Sequence, residues 1–234
     1  MIIQIKNIGV LTILVTLFLL HSSFAQKDNG LASWNTIGLQ YKLNKKITFD
    51  LEQHLRHKED FTFVDKYFTQ FQTSYKFAKN FELIGGLRFI RENDTEGRLQ
   101  GYENHFRFQV DLKYKYKIKN FDIGYRFRYQ NKNYLDENDL ARQNFRFKTN
   151  LTYKIKNWPL DPNFSTEIFN RHKKVEDTNS FSKYRLTFGT TFKLREIGNF
   201  KCYYRIEKEL NVDTPETFKI IGLKYTYIIK NKKK

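Results

Sequence analysis

Cationic side chains recur at every second position along several stretches of this chain. Arg126 and Arg128 alternate with Phe and Tyr residues, and Arg146 and Lys148 alternate with apolar residues in the following stretch. Guanidinium and ammonium groups bind carboxylates and phosphates, and a row of them attracts anions electrostatically. The spacing therefore favours two kinds of chemistry: ion pairing with carboxylates inside the protein, and attraction of anionic solutes.

The histidines do not form a catalytic or metal-binding set. His54 and His57 are three residues apart and fall on opposite faces of a strand. His105 and His172 lie at the ends of predicted strands, where we expect a histidine that is in contact with solvent or at the membrane interface. No serine stands in a nucleophile-elbow context, and the acidic residues 136–139 lack the spacing of a calcium loop. The sequence predicts no catalytic residue, no metal and no cofactor, and hence a protein that is not an enzyme.

Strict alternation of apolar and polar residues predicts that the charged side chains stand on β-strands. In residues 106–116 and 121–129 each predicted strand has one apolar face and one charged face. Eleven such runs follow one another, and none shows helical periodicity. The run over residues 163–173 is the weakest, because Pro159 and Pro162 precede it. Since bacterial single-chain barrels have an even number of strands, we expect about ten to twelve.

The connectors between these strands are sorted by length and by charge. Up-and-down antiparallel strands place alternate connectors at opposite ends of a barrel, and outer-membrane barrels have short periplasmic turns and longer external loops. The short basic connectors are residues 43–46, 76–80, 117–120, 154–157 and 193–199. The longer acidic ones contain residues 59–60, 92–96, 136–139, 176–177 and 213–216.

Residues 1–25 have the pattern of a secretory signal peptide. An apolar run follows Lys6 and ends in small residues, which predicts export and cleavage after Ala25. The remaining residues, 26–234, contain no Gly/Ser- or Pro-rich linker and are expected to form one domain. The single cysteine, Cys202, excludes an intramolecular disulfide, and we expect it to be a small buried hydrophobic residue.

The predicted fold class is all-β, an up-and-down antiparallel transmembrane β-barrel in the outer membrane. Only helices and closed barrels satisfy their backbone polar groups in hydrocarbon, so the apolar faces point to lipid and the charged faces point to the lumen. The net charge of +17 is spread through strands and turns, and nucleic acid is therefore not an expected partner. The expected partners are outer-membrane lipid and lipopolysaccharide, the barrel-insertion machinery and a small anionic solute. The candidate pore-lining residues are Glu52, Arg56, Arg88, Arg107, Arg126, Arg128, Arg146, Lys148, Arg185, Arg205 and Glu207.

Three short motifs carry a resemblance to a known family. They are Trp34-Asn35 near the expected mature start, the segment DLEQHLR over residues 50–56, and Tyr184-Arg185-Leu186. With the repeated Arg-rich alternation, the layout resembles an uncharacterised family of Bacteroidota outer-membrane β-barrels, domain of unknown function 2490. The resemblance implies an outer-membrane location, and it supplies neither a substrate nor catalytic residues.

Several alternatives stay open at the level of sequence. The lumen is either filled by Arg–carboxylate pairs or is a narrow water-filled channel that favours anions. The protein is either a non-enzymatic barrel, with a channel or a structural role, or an outer-membrane enzyme that acts on lipid or peptide at its loops and strand ends. A third alternative is a soluble periplasmic β-protein whose aromatic face forms an internal core.

Overall fold

The computed structural model describes residues 28–94, 100–135, 141–156, 158–173, 178–194 and 197–231. No helix in this part of the chain is long and apolar enough to cross a membrane. The predicted signal peptide, residues 1–25, lies outside the described residues. The strands are β1 (Asp28–Lys42), β2 (Ile47–Lys58), β3 (Phe63–Tyr75), β4 (Phe81–Asp94), β5 (Gly101–Ile118), β6 (Phe121–Tyr134), β7 (Arg142–Tyr153), β8 (Leu160–Lys173), β9 (Thr178–Leu194), β10 (Gly198–Glu209) and β11 (Thr217–Lys230).

The eleven strands form one closed barrel. Strands that follow one another in the chain pair in antiparallel fashion, whereas β1 and β11 pair in parallel and close the barrel. Because direction alternates along the chain, the first and eleventh strands run the same way and meet only as a parallel pair. The predicted range of about ten to twelve strands is confirmed. The number is eleven, as in the sequence pattern, and therefore odd, whereas bacterial single-chain barrels have an even number.

The polarity of the barrel is the reverse of that of a soluble domain. Among the described residues, six hydrophobic residues are buried, against eighteen polar or charged ones. Leu87, Phe127 and Phe147 are 50%, 48% and 47% exposed, although each stands in the middle of a strand. Alternating side chains point to opposite faces, so the apolar residues form the outer surface and the charged residues fill the interior.

Aromatic side chains pack against one another across neighbouring strands on the outer surface. Tyr114 of β5 stacks on Tyr125 of β6, which stacks on Phe147 of β7, with ring centroids 6.4 and 6.3 Å apart. Tyr41 and Phe49 make a similar contact at 6.5 Å between β1 and β2. Such cross-strand aromatic pairs stabilise the register of adjacent strands.

Strand β8 begins earlier than the sequence pattern predicts. It starts at Leu160 instead of Asn163, and Pro162 lies within it, opposite Thr190 of β9. On its other side β8 first pairs with β7 at Asn163, opposite Thr152. A proline is tolerated in the first residues of a strand, where one side of the ladder is unpaired.

The alternating connectivity places the two kinds of connector at opposite rims of the barrel. We call them the basic rim and the acidic rim. At the basic rim, Asn44 accepts hydrogen bonds at 2.8 Å from the backbone N–H groups of Lys46 and Ile47 and so stabilises the β1–β2 turn. Residues 95–96, 136–139, 157, 176–177 and 195–196 of the predicted connectors lie outside the described residues.

Two glycines make room for an aromatic ring on the inner wall. Tyr203 of β10 lies opposite Gly189 of β9 on one side and Gly222 of β11 on the other. A Cβ atom at Gly222 would lie 1.9 Å from Cζ of Tyr203, so the ring lies flat over the glycine. The neighbouring Cys202 is exposed, and the expectation that it is buried is wrong because the apolar face of β10 is the outer surface.

Candidate functional site

The structure places all eleven candidate pore-lining residues on the inner face of the barrel. Their positions alternate along each strand with the exposed apolar residues of the outer surface. The eight arginines come from seven strands, and we call them the arginine belt: Arg56 of β2, Arg88 of β4, Arg107 of β5, Arg126 and Arg128 of β6, Arg146 of β7, Arg185 of β9 and Arg205 of β10.

Strand register brings several of these cations directly opposite one another. Arg88 lies opposite Arg107. Arg128 lies opposite Arg146, and Arg126 lies opposite Lys148. Like charges in directly opposite positions destabilise a sheet. The belt therefore requires a compensating partner for each cation.

Carboxylates compensate one part of the belt, between β5 and β10. Arg128 donates two hydrogen bonds of 2.6 Å to the two oxygens of Asp111, in a bidentate pair. Glu167 accepts from Arg126 at 2.5 Å and from Arg146 at 2.9 Å, and Arg185 lies 3.8 Å from its other oxygen. The two candidate glutamates are paired as well: Glu207 with Lys183 and Arg185, and Glu52 with Lys224 and His54.

Aromatic rings, and no carboxylates, contact the other part of the belt. Among the described residues, no carboxylate lies within 4.0 Å of Arg56, Arg88 or Arg205. The guanidinium carbon of Arg56 lies 3.6 Å from the ring centroid of Trp34, and that of Arg88 lies 3.9 Å from the centroid of Phe68. Arg205 lies 4.7 Å from the Trp34 centroid. Cation–π contacts stabilise a guanidinium without neutralising it, so this part of the belt keeps its positive charge.

Sequence reasoning missed the residues that complete the belt. Trp34, Phe68 and Phe169 point inward, and Glu167 stands on the weakest of the predicted strands. The available signal was the position of each residue in the alternation. Each of them is an even number of positions from a polar inward residue of its own strand, and residues at such spacing share a face. Residue type alone would assign an aromatic side chain to the apolar outer face, whereas the position in the strand assigns these rings to the charged inner face.

The centre of the barrel is filled by side chains. Arg107, Arg128 and Arg146 are each less than a tenth exposed, and Asp111 has no exposed surface. Exposure rises toward the basic rim, where the side chain of Lys113 is 31% exposed and that of Lys115 is 65% exposed. Arginine–carboxylate pairs occur at the level of the belt, and more exposed lysines lie on its basic-rim side.

Several donors in the belt have no acceptor among the described residues. They are Nε of Arg56, Arg107 and Arg126 and Nε2 of Gln109. Gln109 uses its oxygen to accept a 2.9 Å hydrogen bond from Nη2 of Arg107. A buried donor without an acceptor destabilises the fold, and an anion supplies acceptors. The belt is therefore short of acceptors as well as of negative charge.

A separate cluster stands near the acidic rim. Glu92 of β4 pairs with Lys66 of β3 and with Lys132 of β6, the latter at 2.7 Å. His105 has no exposed surface and lies 3.4 Å from Glu92, so the expectation of a solvated histidine is wrong. Burial, helped by the charge of Lys132, lowers the pKa of His105 from 6.5 to about 4. Burial alone would raise the pKa of Glu92, but Lys66 and Lys132 outweigh it and hold that pKa well below its usual range.

Comparison with models of known protein families gives a match. The model of a family described as "Protein of unknown function (DUF2490)" matches residues 31–215, which extend from β1 to the connector before β11. No curated protein matches the chain.

Proposed function

Since the chain belongs to the DUF2490 family, whose function is unknown, we propose its function from the geometry of the barrel. The protein is a non-enzymatic, membrane-spanning barrel of the outer membrane, and its cationic lumen selects small anions. The observation that carries this proposal is the combination of an exposed apolar outer face with an inner belt of eight arginines that is only partly neutralised.

The outer face supports the membrane location. Uninterrupted outward apolar positions occupy residues 81–89 of β4, 106–116 of β5 and 121–129 of β6. These runs have the roughly 9–11 residues that a tilted strand needs to cross the hydrocarbon layer. Beyond them the outward residues are polar, as at Arg91 and Asn104, which lie opposite each other. We take these runs as membrane-spanning; Glu92, His105 and Lys132 lie outside them.

The polarity of the interior is an argument against a soluble periplasmic protein. In that alternative the aromatic face would form an internal core, whereas Phe127 and Phe147 lie on the outer surface. Among the described residues, no arrangement of side chains specifically favours the enzymatic alternative.

The lumen supports selection of anions by electrostatics. More exposed lysines at the basic rim lie on one side of a belt in which Arg56, Arg88 and Arg205 have no carboxylate within 4.0 Å among the described residues. Positive side chains in a low-dielectric cavity concentrate anions and repel cations. The buried side chains at the level of the belt narrow the lumen, so the solute must be a small one.

Planar-bilayer recordings test the proposal. In a KCl gradient we expect a small conductance whose reversal potential shows preference for chloride. Arg205→Gln should weaken that preference, because Arg205 can be neutralised without leaving a buried carboxylate unpaired. Arg91→Gln on the outer surface is the matched control and should leave the reversal potential unchanged. Preference for potassium, or no conductance from correctly folded protein, would contradict the proposal.

A further inference from the structure

Two arginines that have no ion-pair partner among the described residues meet at Phe68. Arg56 of β2 and Arg88 of β4 both contact the ring of Phe68, with guanidinium carbons 4.9 and 3.9 Å from its centroid. Arg107 of β5 lies directly opposite Arg88. Each of these three arginines is close enough to the others for their charges to repel. Three strands thus bring three guanidinium groups together in one place.

No carboxylate among the described residues forms an ion pair with this group, although Asp65 and Asp111 lie close enough to act electrostatically on Arg56 and Arg107. No carboxylate lies within 4.0 Å of Arg56, Arg88 or Arg107, whereas Arg128 and Arg146 in the same belt each contact one. The hydrogen-bond partners of Arg88 and Arg107 are neutral amides, Gln70 and Gln109. Like charges that share a buried site without a counter-charge destabilise it, and this arrangement is therefore suited to holding an anion.

Unused hydrogen-bond donors occur on two of these arginines and on Gln109, which accepts a hydrogen bond from the Arg107 side chain. Arg107 is 8% exposed and Gln109 is 2% exposed, yet Nε of Arg107 and Nε2 of Gln109 have no acceptor among the described residues. Nε of Arg56 also has none. All three atoms are N–H donors, so the group that would satisfy them must bring acceptor oxygens.

We infer that Arg56, Arg88, Arg107 and Gln109 form a binding site for a phosphate group within the lumen. A phosphate offers several strong acceptor oxygens and up to two negative charges, and planar guanidinium groups bind it in bidentate fashion. Arg56 and Arg88 are half-buried, whereas Arg107 is buried. The inference rests on the proposed function, because it gives the anion-selecting lumen a specific site.

The fluorescence of Trp34 can report binding at this site, because the centroid of its ring lies 3.6 Å from the guanidinium carbon of Arg56. The chain has two tryptophans, and Trp158→Phe removes the other, which is 56% exposed. In this background, refolded in detergent, inorganic phosphate is titrated against Trp34 fluorescence. Glycerol 3-phosphate is titrated in parallel, to distinguish a free phosphate from a phosphate carried by a small organic solute.

We expect a saturable change in fluorescence, and we expect Arg107→Gln to weaken phosphate binding by at least about tenfold, as the loss of a charge-assisted hydrogen bond does. Arg107→Lys keeps the charge and should lose a smaller factor. The matched control, Arg91→Gln, should bind as the parent does. Heat-dependent gel mobility establishes that each variant is folded.

Absence of saturable phosphate binding, or equal weakening by Arg107→Gln and Arg91→Gln, would overturn the site even if the barrel prefers chloride. Phosphate binding that is lost in Arg107→Gln, in a barrel that conducts no current, would support the site and overturn the proposed passage of anions. The two proposals can therefore fail separately.

Discussion

Glu167 holds together the neutralised part of the arginine belt. It is 5% exposed, accepts hydrogen bonds from Arg126 and Arg146, and lies near Arg185. A carboxylate shared by several buried cations stabilises mainly by preventing their mutual repulsion. Removing one partner of such a group costs more than the pairing itself contributes, because the remaining charges stay buried.

Glu167→Gln should therefore destabilise the barrel by about 3–5 kcal/mol. The measurement is urea unfolding in detergent, followed by the change in Trp fluorescence. Asp213→Asn, on an exposed connector of the acidic rim, is the control and should change the free energy of unfolding little. A Glu167→Gln protein as stable as the parent would mean that the three arginines do not depend on this carboxylate.

A second prediction at the residue scale concerns pH. The pKa of His105 is lowered from 6.5 to about 4, so the folded protein keeps this histidine neutral while the unfolded chain takes up a proton. Stability should thus decrease as pH falls from 6.5 toward 4, by roughly 1–2 kcal/mol after allowance for solvent screening. The lowered pKa of Glu92 acts in the same direction, but only below its ordinary value of 4.5.

His105→Phe isolates the histidine from the other groups. Phenylalanine keeps a ring against Tyr134, whose centroid lies 4.4 Å from that of His105, and it does not titrate. We expect the free energy of unfolding of this variant to vary less between pH 6.5 and 4.5 than that of the parent. Parallel pH profiles for the two proteins would show that His105 carries no proton linkage.

At the scale of the strands, the packing of β9, β10 and β11 against one another depends on the small size of two glycines. Tyr203 lies between Gly189 and Gly222, and a Cβ atom at Gly222 would meet its ring at 1.9 Å. The glycines thus allow an aromatic ring to cover the inner wall next to the parallel β1–β11 pair.

Gly222→Ala should destabilise the barrel by about 1–3 kcal/mol through overpacking against Tyr203. The double variant Gly222→Ala/Tyr203→Ala should recover part of this loss, which a double-mutant cycle in urea would measure. Gly85→Ala is the matched control, since a Cβ atom there meets nothing within 4 Å. An equal loss of unfolding free energy in Gly85→Ala and Gly222→Ala would show that the effect of alanine on the backbone, and not its contact with the tyrosine ring, causes the destabilisation.

For the whole molecule, the reversal of polarity between surface and interior distinguishes a membrane barrel from a soluble one. Phe147 stands in the outward row of β7 and is 47% exposed. If it faces hydrocarbon, Phe147→Lys should cost about 2–4 kcal/mol in lipid vesicles. The cost should be much smaller for Asn133→Lys, which lies beyond the membrane-spanning run of β6. Similar costs at the two positions would contradict the proposed membrane location.

The sequence alone determined the strands, their faces and the arginines of the lumen. Period-two alternation is a local property, and it assigns Arg107 and Phe147 to opposite faces whatever the neighbouring strands are. The number of alternating runs also predicts an odd number of strands. Because the direction of the strands alternates, β1 and β11 then run the same way and close the barrel as a parallel pair. It does not determine which side chains meet across strands, because register depends on turns and on the packing of all strands together.

Only the tertiary structure showed which cations are neutralised. Arg128 and Arg88 look alike in the sequence. Within the described part of the chain, however, Arg128 has a bidentate carboxylate partner, whereas Arg88 contacts Gln70 and the ring of Phe68 and no carboxylate. The difference arises because Asp111 lies opposite Arg128 in the β5–β6 register, whereas Arg88 lies between Gln70 and Arg107. Electrostatic compensation falls steeply with distance, so it depends on contacts that only closure of the barrel creates.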